Sequence, residues 1–250
     1  MSGQSSTQEA GLYRYQGVVA NNYICFGTTN KNTCKGDPDK YMYRIIGTNS
    51  SNQMKLIKKE ALNTAYPWNT DMTADVEWPD SDLYATLNGS TFLTNTNYVP
   101  SGWGDRIATT TWKYGSLTES SSTVAQIAET ETNFVDTVNA KIGLIFIHDY
   151  LYAFPEGKNC SSNGYCKPSW LYLNQKGNDL NAPNGTYEWT MTRYDYTLFY
   201  NKSWKVNTDS MTIESIRVNE LNSVRPVFFL TPSQSIVSGT GTLTDPFILA

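Results

Sequence analysis

The sequence predicts an α+β protein, mostly strand, with two helices and much ordered loop. Three observations carry that prediction. Short runs of strand character recur, among them YMYRIIG at 41–47, QMKLIK at 53–58 and EWTMT at 188–192. The last alternates with the period of two that marks a half-buried strand. Only two stretches, 80–88 and 122–139, carry apolar residues at helical spacing. Charged residues are 17% of the 250, below the usual quarter, so Asn, Thr, Ser and Tyr must supply much of the polar surface.

Residues 1–12 read as a tail or remnant, because Met1 to Ala10 is polar and lacks the apolar core of an export signal. Residues 13–250 read as one domain, with no repeat or linker to divide them. Val18 to Phe26 reads as a strand with a polar break at Asn21-Asn22, and 27–40 as a loop turning at Gly36-Asp37-Pro38-Asp39. Tyr41–Gly47 and Gln53–Lys58 form a hairpin across Asn49-Ser50-Ser51-Asn52. A short helix follows over 80–88. Asp80 or Ser81 can cap it, Leu83 and Leu87 share a face, and Gly89 can stop it. Residues 92–108 read as loop. The longer helix, Ser122 to Asn139, sets Val124, Ile127, Ala128, Phe134, Val135 and Val138 to one side, in a stripe interrupted by Glu131. Lys141 to Phe154 reads as a central strand followed by a turn. Val227 to Leu230 is apolar on both faces, as in a strand buried inside a domain. Ile236 to Leu249 returns as strand, Gly turn and edge strand.

Several classes of function drop out. No window of 18 apolar residues occurs, so no segment spans a membrane as a helix. Net charge is -4 and the basic residues are scattered, which gives no stripe for nucleic acid. A single histidine excludes a His-rich metal site, and no cofactor or metal is expected. The four cysteines form two local pairs, Cys25 with Cys34 and Cys160 with Cys166, separated by eight and five residues. Even number and short spacing suggest two disulfides in an exported protein. A four-cysteine zinc site is the rival reading, although its usual gaps are about two to four residues. Free thiols are the other alternative.

Candidate chemistry is sparse. His148-Asp149 offers a general base without a recognisable nucleophile, or a strand-end turn. Glu188, Asp195 and Asp209 contain possible carboxylate pairs for glycoside hydrolysis, or a solvated acidic surface. Arg225 fits a buried pair with a carboxylate better than an anion site. Trp68, Trp78, Trp103 and Trp112 could stack on sugars, but at least half of them should be core. The segment 194–209 differs from these. It crowds Tyr194, Asp195, Tyr196, Tyr200, Asn201, Trp204 and Asn207 between strong strands, with little apolar periodicity. Tyr and Trp offer contact area for few rotatable bonds, and Asn and Asp offer adaptable hydrogen bonds. These seven residues are the expected binding face, and no catalytic residue is expected.

Four pieces stand in a definite order: YRIIG followed by KLI, then WPDSDLYATLNG, then KIGLIFIHDYLYAF, and last WTMT followed by SVRPVFFL and SGTGTLTDPFIL. That order, from Val18 to Leu249, resembles a family of bacterial domains of unknown function with a C-type lectin-like fold, found in surface and exported proteins of Gram-positive gut bacteria. The resemblance implies a central twisted, mostly antiparallel sheet flanked by two helices. It also implies an extracellular or cell-surface location, with a protein or glycan as ligand. The same broad fold includes the variable proteins of diversity-generating retroelements, in which variation precedes the closing strands, so 194–209 matches by position. It also includes the formylglycine-generating enzymes, whose copper site has no match in this cysteine arrangement. The Glu-Pro-Asn, Gln-Pro-Asp and Trp-Asn-Asp triplets of calcium-dependent lectins are absent. The expectation is therefore an adhesin-like or lectin-like binding domain. A pilin-like fibre subunit is the alternative, and an enzyme is a more distant one.

Overall fold

A computed structural model describes residues 6–9, 12–73, 75–118, 124–154, 169–171, 187–195, 201–208, 210 and 212–250. In chain order the first half carries β1 (Ser6–Glu9), β2 (Leu12–Tyr15), β3 (Tyr23–Cys25), α1 (Lys31–Gly36), α2 (Pro38–Tyr41), β4 (Met42–Asn49), β5 (Met54–Lys58), α3 (Asp82–Asn88), β6 (Thr110–Tyr114) and β7 (Ser116–Leu117). The second half carries α4 (Val124–Thr132), β8 (Asp136–Ala140), β9 (Ile142–Gly143), α5 (Ile147–Tyr152), β10 (Tyr187–Tyr194), β11 (Lys202–Asn207), β12 (Thr212–Arg217), β13 (Val227–Phe229), β14 (Ile236–Ser238) and β15 (Phe247–Leu249). The protein is mixed α+β and mostly sheet, with five short helices among the described residues in place of the two the sequence suggests.

The main sheet runs β14-β15-β3-β4-β5-β13-β9, and β2 and β1 branch from β4. Only β15 and β3 are parallel, which brings the end of the chain beside its beginning. β4 is the long strand that makes the branch possible. It pairs with β5 from Tyr43 to Thr48, with β3 through Met42 to Arg44, and with β2 through Gly47 to Asn49. Gly47 is required at the branch, since a Cβ there would lie 2.1 Å from the Tyr13 carbonyl oxygen. Ser6–Glu9 pairs with β2, so part of the stretch read as a tail is strand. A second sheet runs β12-β11-β10-β7, and β6 with β8 makes a two-stranded ribbon.

The hairpin of β4 and β5 and the helix over 82–88 follow the sequence reading. Ser81 Oγ accepts from Tyr84 N at 3.1 Å, as an N-cap should. Ile45, Leu56, Leu144, Phe146 and Val227 are core, and Phe229 packs partly buried against them. Three readings need correction. Residues 31–41 fold into α1 and α2, because Asn30 and Asp37 side chains accept from the first backbone N–H groups of each and Pro38 suits a first helical position. The long helix stops at Thr132. Beyond it, β-branched Thr137 and Val138 pair in register with β6, and Val135 is 86% exposed rather than on a packed stripe.

The central strand of 141–154 is the third. It is a strand only at Ile142–Gly143, then the chain turns into α5. The reason is tertiary. A carboxylate on α4, Glu131, accepts from Ile147 N at 3.1 Å and His148 N at 2.7 Å, while Asp149 Oδ2 accepts from Phe146 N at 3.1 Å. Two carboxylates thus satisfy the first donors of a helix with strand-like apolar residues around its start. Cys25 and Cys34 form a buried disulfide, the first of the two expected. Cys160 and Cys166 lie outside the described residues.

Candidate functional site

The expected binding face divides. Tyr194 and Trp204 are 4% and 5% exposed and meet edge to face at 5.2 Å between ring centres. The Trp204 indole also donates to the Leu117 carbonyl at 3.3 Å. These two rings are core, a correction that follows from geometry. Within the polar segment, Lys202–Asn207 form β11, which pairs with both β10 and β12 and turns its Trp inward. Asp195 is exposed, and Asn201 and Asn207 are partly exposed. Asn207 Oδ1 accepts from Ser210 N at 3.1 Å, closing a turn. Tyr196, Tyr200 and Asp209 lie outside the described residues.

Glu188 does not face Asp195 as a catalytic partner. It is fully buried and takes Arg225 in a two-pronged pair, with Nε to Oε1 and Nη2 to Oε2 both at 2.8 Å. Tyr150 bridges them, its hydroxyl donating to Glu188 and accepting from Arg225 Nη2 at 2.9 Å. Burial alone would lower the Arg225 guanidinium, but the charge of Glu188 outweighs it and raises it. Arg225 is the buried structural pair that its position before Pro226 suggested. Trp68, Trp78 and Trp112 are also buried.

A different region gathers chemistry at a cavity of about 520 Å³. It lies among β2, β5, β6, β13, the end of α4 and the start of α5. Leu12, Trp112, Phe146 and Phe229 form its apolar walls. Asn49, Thr110, Thr111 and Thr132 add hydrogen-bonding groups, and Lys55, Lys113, Glu131 and His148 add ionisable ones. The Trp112 wall is held from behind. Its indole donates to Ala140 O at 3.1 Å, and its ring covers Gly143, where a Cβ would come within 2.7 Å.

Two ionic groups meet this cavity. Asp149 takes two cations, Arg14 Nη1 at 2.5 Å and Lys55 Nζ at 2.7 Å. Burial alone would raise its carboxyl, but Lys55 and Arg14 outweigh it and hold it well below the usual carboxylate range. Burial pushes the Lys55 ammonium down from its ordinary value, against the opposing pull of Asp149. Glu131 is 1% exposed and its oxygens are fully occupied. Oε1 accepts from Ile147 N and the Thr192 hydroxyl, and Oε2 accepts from His148 N and lies 3.0 Å from His148 Nδ1. The sequence pair His148-Asp149 stays in loose contact, Nε2 to Oδ1 at 3.9 Å, while the nearer partner of His148 is Glu131 and those of Asp149 are Arg14 and Lys55.

Of these residues, His148, Asp149 and Trp112 are the ones the sequence marks as candidate chemistry. Lys55 and Glu131 gave signals of the same kind, a charge within an apolar strand and a charge interrupting an apolar stripe. No group of three or more His, Cys, Asp or Glu that could hold a metal occurs among the described residues. No helix among the described residues is long and apolar enough to cross a membrane. No protein-family model, curated protein or solved structure matches the chain.

Proposed function

We propose that this protein is a ligand-binding domain of C-type lectin-like fold, acting outside the cell or at its surface, with the cavity bounded by Trp112, Phe229, Lys55 and His148 as its site. The cavity carries the reading. Its volume of about 520 Å³ falls in the range of small-molecule sites, and it joins apolar walls to a few fixed polar groups. It suits a small molecule or the end of a chain better than a flat protein face. The buried Cys25–Cys34 disulfide supports an oxidising location. The order of the sequence motifs, and the return of β15 beside β3, support the choice of fold. The test uses a neutral fluorescent probe, N-phenyl-1-naphthylamine, titrated into the native protein and into Thr110→Trp, which narrows the cavity from its partly exposed wall. Saturable one-site binding that Thr110→Trp removes supports the assignment. No saturable binding, or binding indifferent to Thr110→Trp, overturns it.

A fibre-subunit role is the second reading, and one observation favours it. β14 is an edge strand that exposes Ile236 and Val237, an arrangement that can add a strand from another copy. Light scattering over a concentration series distinguishes the two. Growth of assemblies that Val237→Lys abolishes favours the fibre, and a persistent monomer counts against it.

A further inference from the structure

The placement of charge around the cavity narrows the class of ligand. Lys55 sits in the middle of β5, 2% exposed, with its neighbours Leu56 and Ile57 fully buried. An ammonium carries three donors, and the Lys55 ammonium has one acceptor, Asp149 Oδ2 at 2.7 Å. Its remaining surroundings are rings, with the Trp112, Phe146 and Phe229 centres at 5.9, 5.4 and 5.9 Å. Rings attract a cation but accept its protons only weakly. Asp149 cannot supply more, because its other oxygen holds Arg14 at 2.5 Å. Two cations therefore share this carboxylate, and the Lys55 ammonium keeps donors unfilled beside the cavity.

The other acid at the wall, Glu131, attracts Lys55 through space but takes no hydrogen bond from it. The Glu131 oxygens take two backbone N–H groups, the Thr192 hydroxyl and His148. A second cation stands at the rim. Lys113 is exposed, and its ammonium donates to the Thr132 carbonyl at 2.8 Å. The walls facing Lys55 are apolar, with the Trp112 and Phe229 ring centres 5.5 Å apart and their planes inclined at 54°.

We infer that the cavity binds a small organic anion with a planar apolar body, an aromatic carboxylate in chemical class. Its carboxylate accepts from the Lys55 ammonium and its ring lies against Trp112 and Phe229. The inference rests on the cavity being the site. It adds the sign of the ligand's charge and the residue that reads it. A buried ammonium without a full set of acceptors favours an anion, because its unfilled donors stand in surroundings of lower dielectric than water. Lys113 at the rim assists entry as a solvated charge, whose effect salt screens.

The experiment compares two near-isosteric probes by isothermal titration, naphthalene-2-carboxylate and naphthalene-2-carboxamide. The expected result is a preference of at least about tenfold for the carboxylate, equivalent to about 1.4 kcal/mol. Lys55→Met should remove that preference while the amide still binds. Lys113→Ala, at an exposed position, should leave most of it. Equal affinity for the two probes in the parent protein overturns the inference and leaves the cavity as a site for neutral ligands. Loss of the preference in Lys113→Ala also overturns it, by moving the anion to the rim, and this variant decides the matter even if Lys55→Met does not fold. Failure of both naphthalene probes, together with failure of the neutral dye, removes the cavity reading as a whole.

Discussion

Two buried ionic clusters flank the short helix α5, and consecutive residues serve them. Tyr150 joins Glu188 and Arg225, while Asp149 joins Arg14 and Lys55. In the first, a planar guanidinium fork meets both oxygens of one carboxylate, and both side chains are fully buried. In the second, two cations converge on one carboxylate, and one of them ends at a cavity wall with most of its donors facing rings. Similar residue types thus give a sealed strut in one place and a poised surface in the other. The difference lies in stoichiometry and in what stands beside the charge. The first pair matches one charge with one charge and engages both carboxylate oxygens, and the nitrogen it leaves unpartnered, Arg225 Nη1, is buried in the core.

The largest expected effect breaks the sealed cluster. Arg225→Leu strands the Glu188 carboxylate in the core and should lower stability by about 3–5 kcal/mol in chemical denaturation. The double variant Glu188→Leu, Arg225→Leu should recover part of that loss. If the single variant unfolds like the parent, this cluster is not the strut described.

Asp149→Asn comes next, with an expected loss of about 3 kcal/mol near neutral pH, because Arg14 and Lys55 then lose the carboxylate that binds both. Its pH dependence sharpens the comparison. The folded carboxyl is held below its ordinary value of 3.8, so its contribution is complete above that pH and is lost as pH falls through the folded value. The stability gap between parent and Asp149→Asn should therefore narrow in acid, as read by urea denaturation at a series of pH values. A gap independent of pH would show that Asp149 acts by shape and not by charge.

Lys55→Met should cost less, about 1.5–3 kcal/mol, since Asp149 keeps Arg14 and the Phe146 N–H as partners. A loss equal to that of Arg225→Leu would mean that the two clusters are equivalent struts. Glu131→Gln should have the smallest effect, about 1 kcal/mol, because the amide oxygen keeps one of the two α5 backbone donors while the other loses its acceptor. Amide exchange at Ile147 and His148 is the direct readout, and unchanged protection there would remove Glu131 from its capping role.

Local pattern was enough to identify the mixed α+β class, the hairpin of β4 and β5, the helix at Ser81, the buried strand at 227–229 and the Cys25–Cys34 disulfide. Each is set by residues close in sequence: alternation, a cap three residues from its donor, two cysteines nine apart. The face carried by Tyr194 and Trp204 was misread for the same reason. Polar neighbours suggested exposure, and nothing local reveals that β10 and β12 flank β11 on both sides. Single residues of the cavity, Trp112 and His148, stood out in the sequence, but their meeting at one place did not. Lys55 and Asp149 lie 94 residues apart, and Arg14 and Asp149 135 apart. The sequence shows that such charges exist within apolar runs. Only the folded chain decides which of them meet, because pairing across such distances is selected by the packing of whole elements and by the need of each buried charge to find an opposite one.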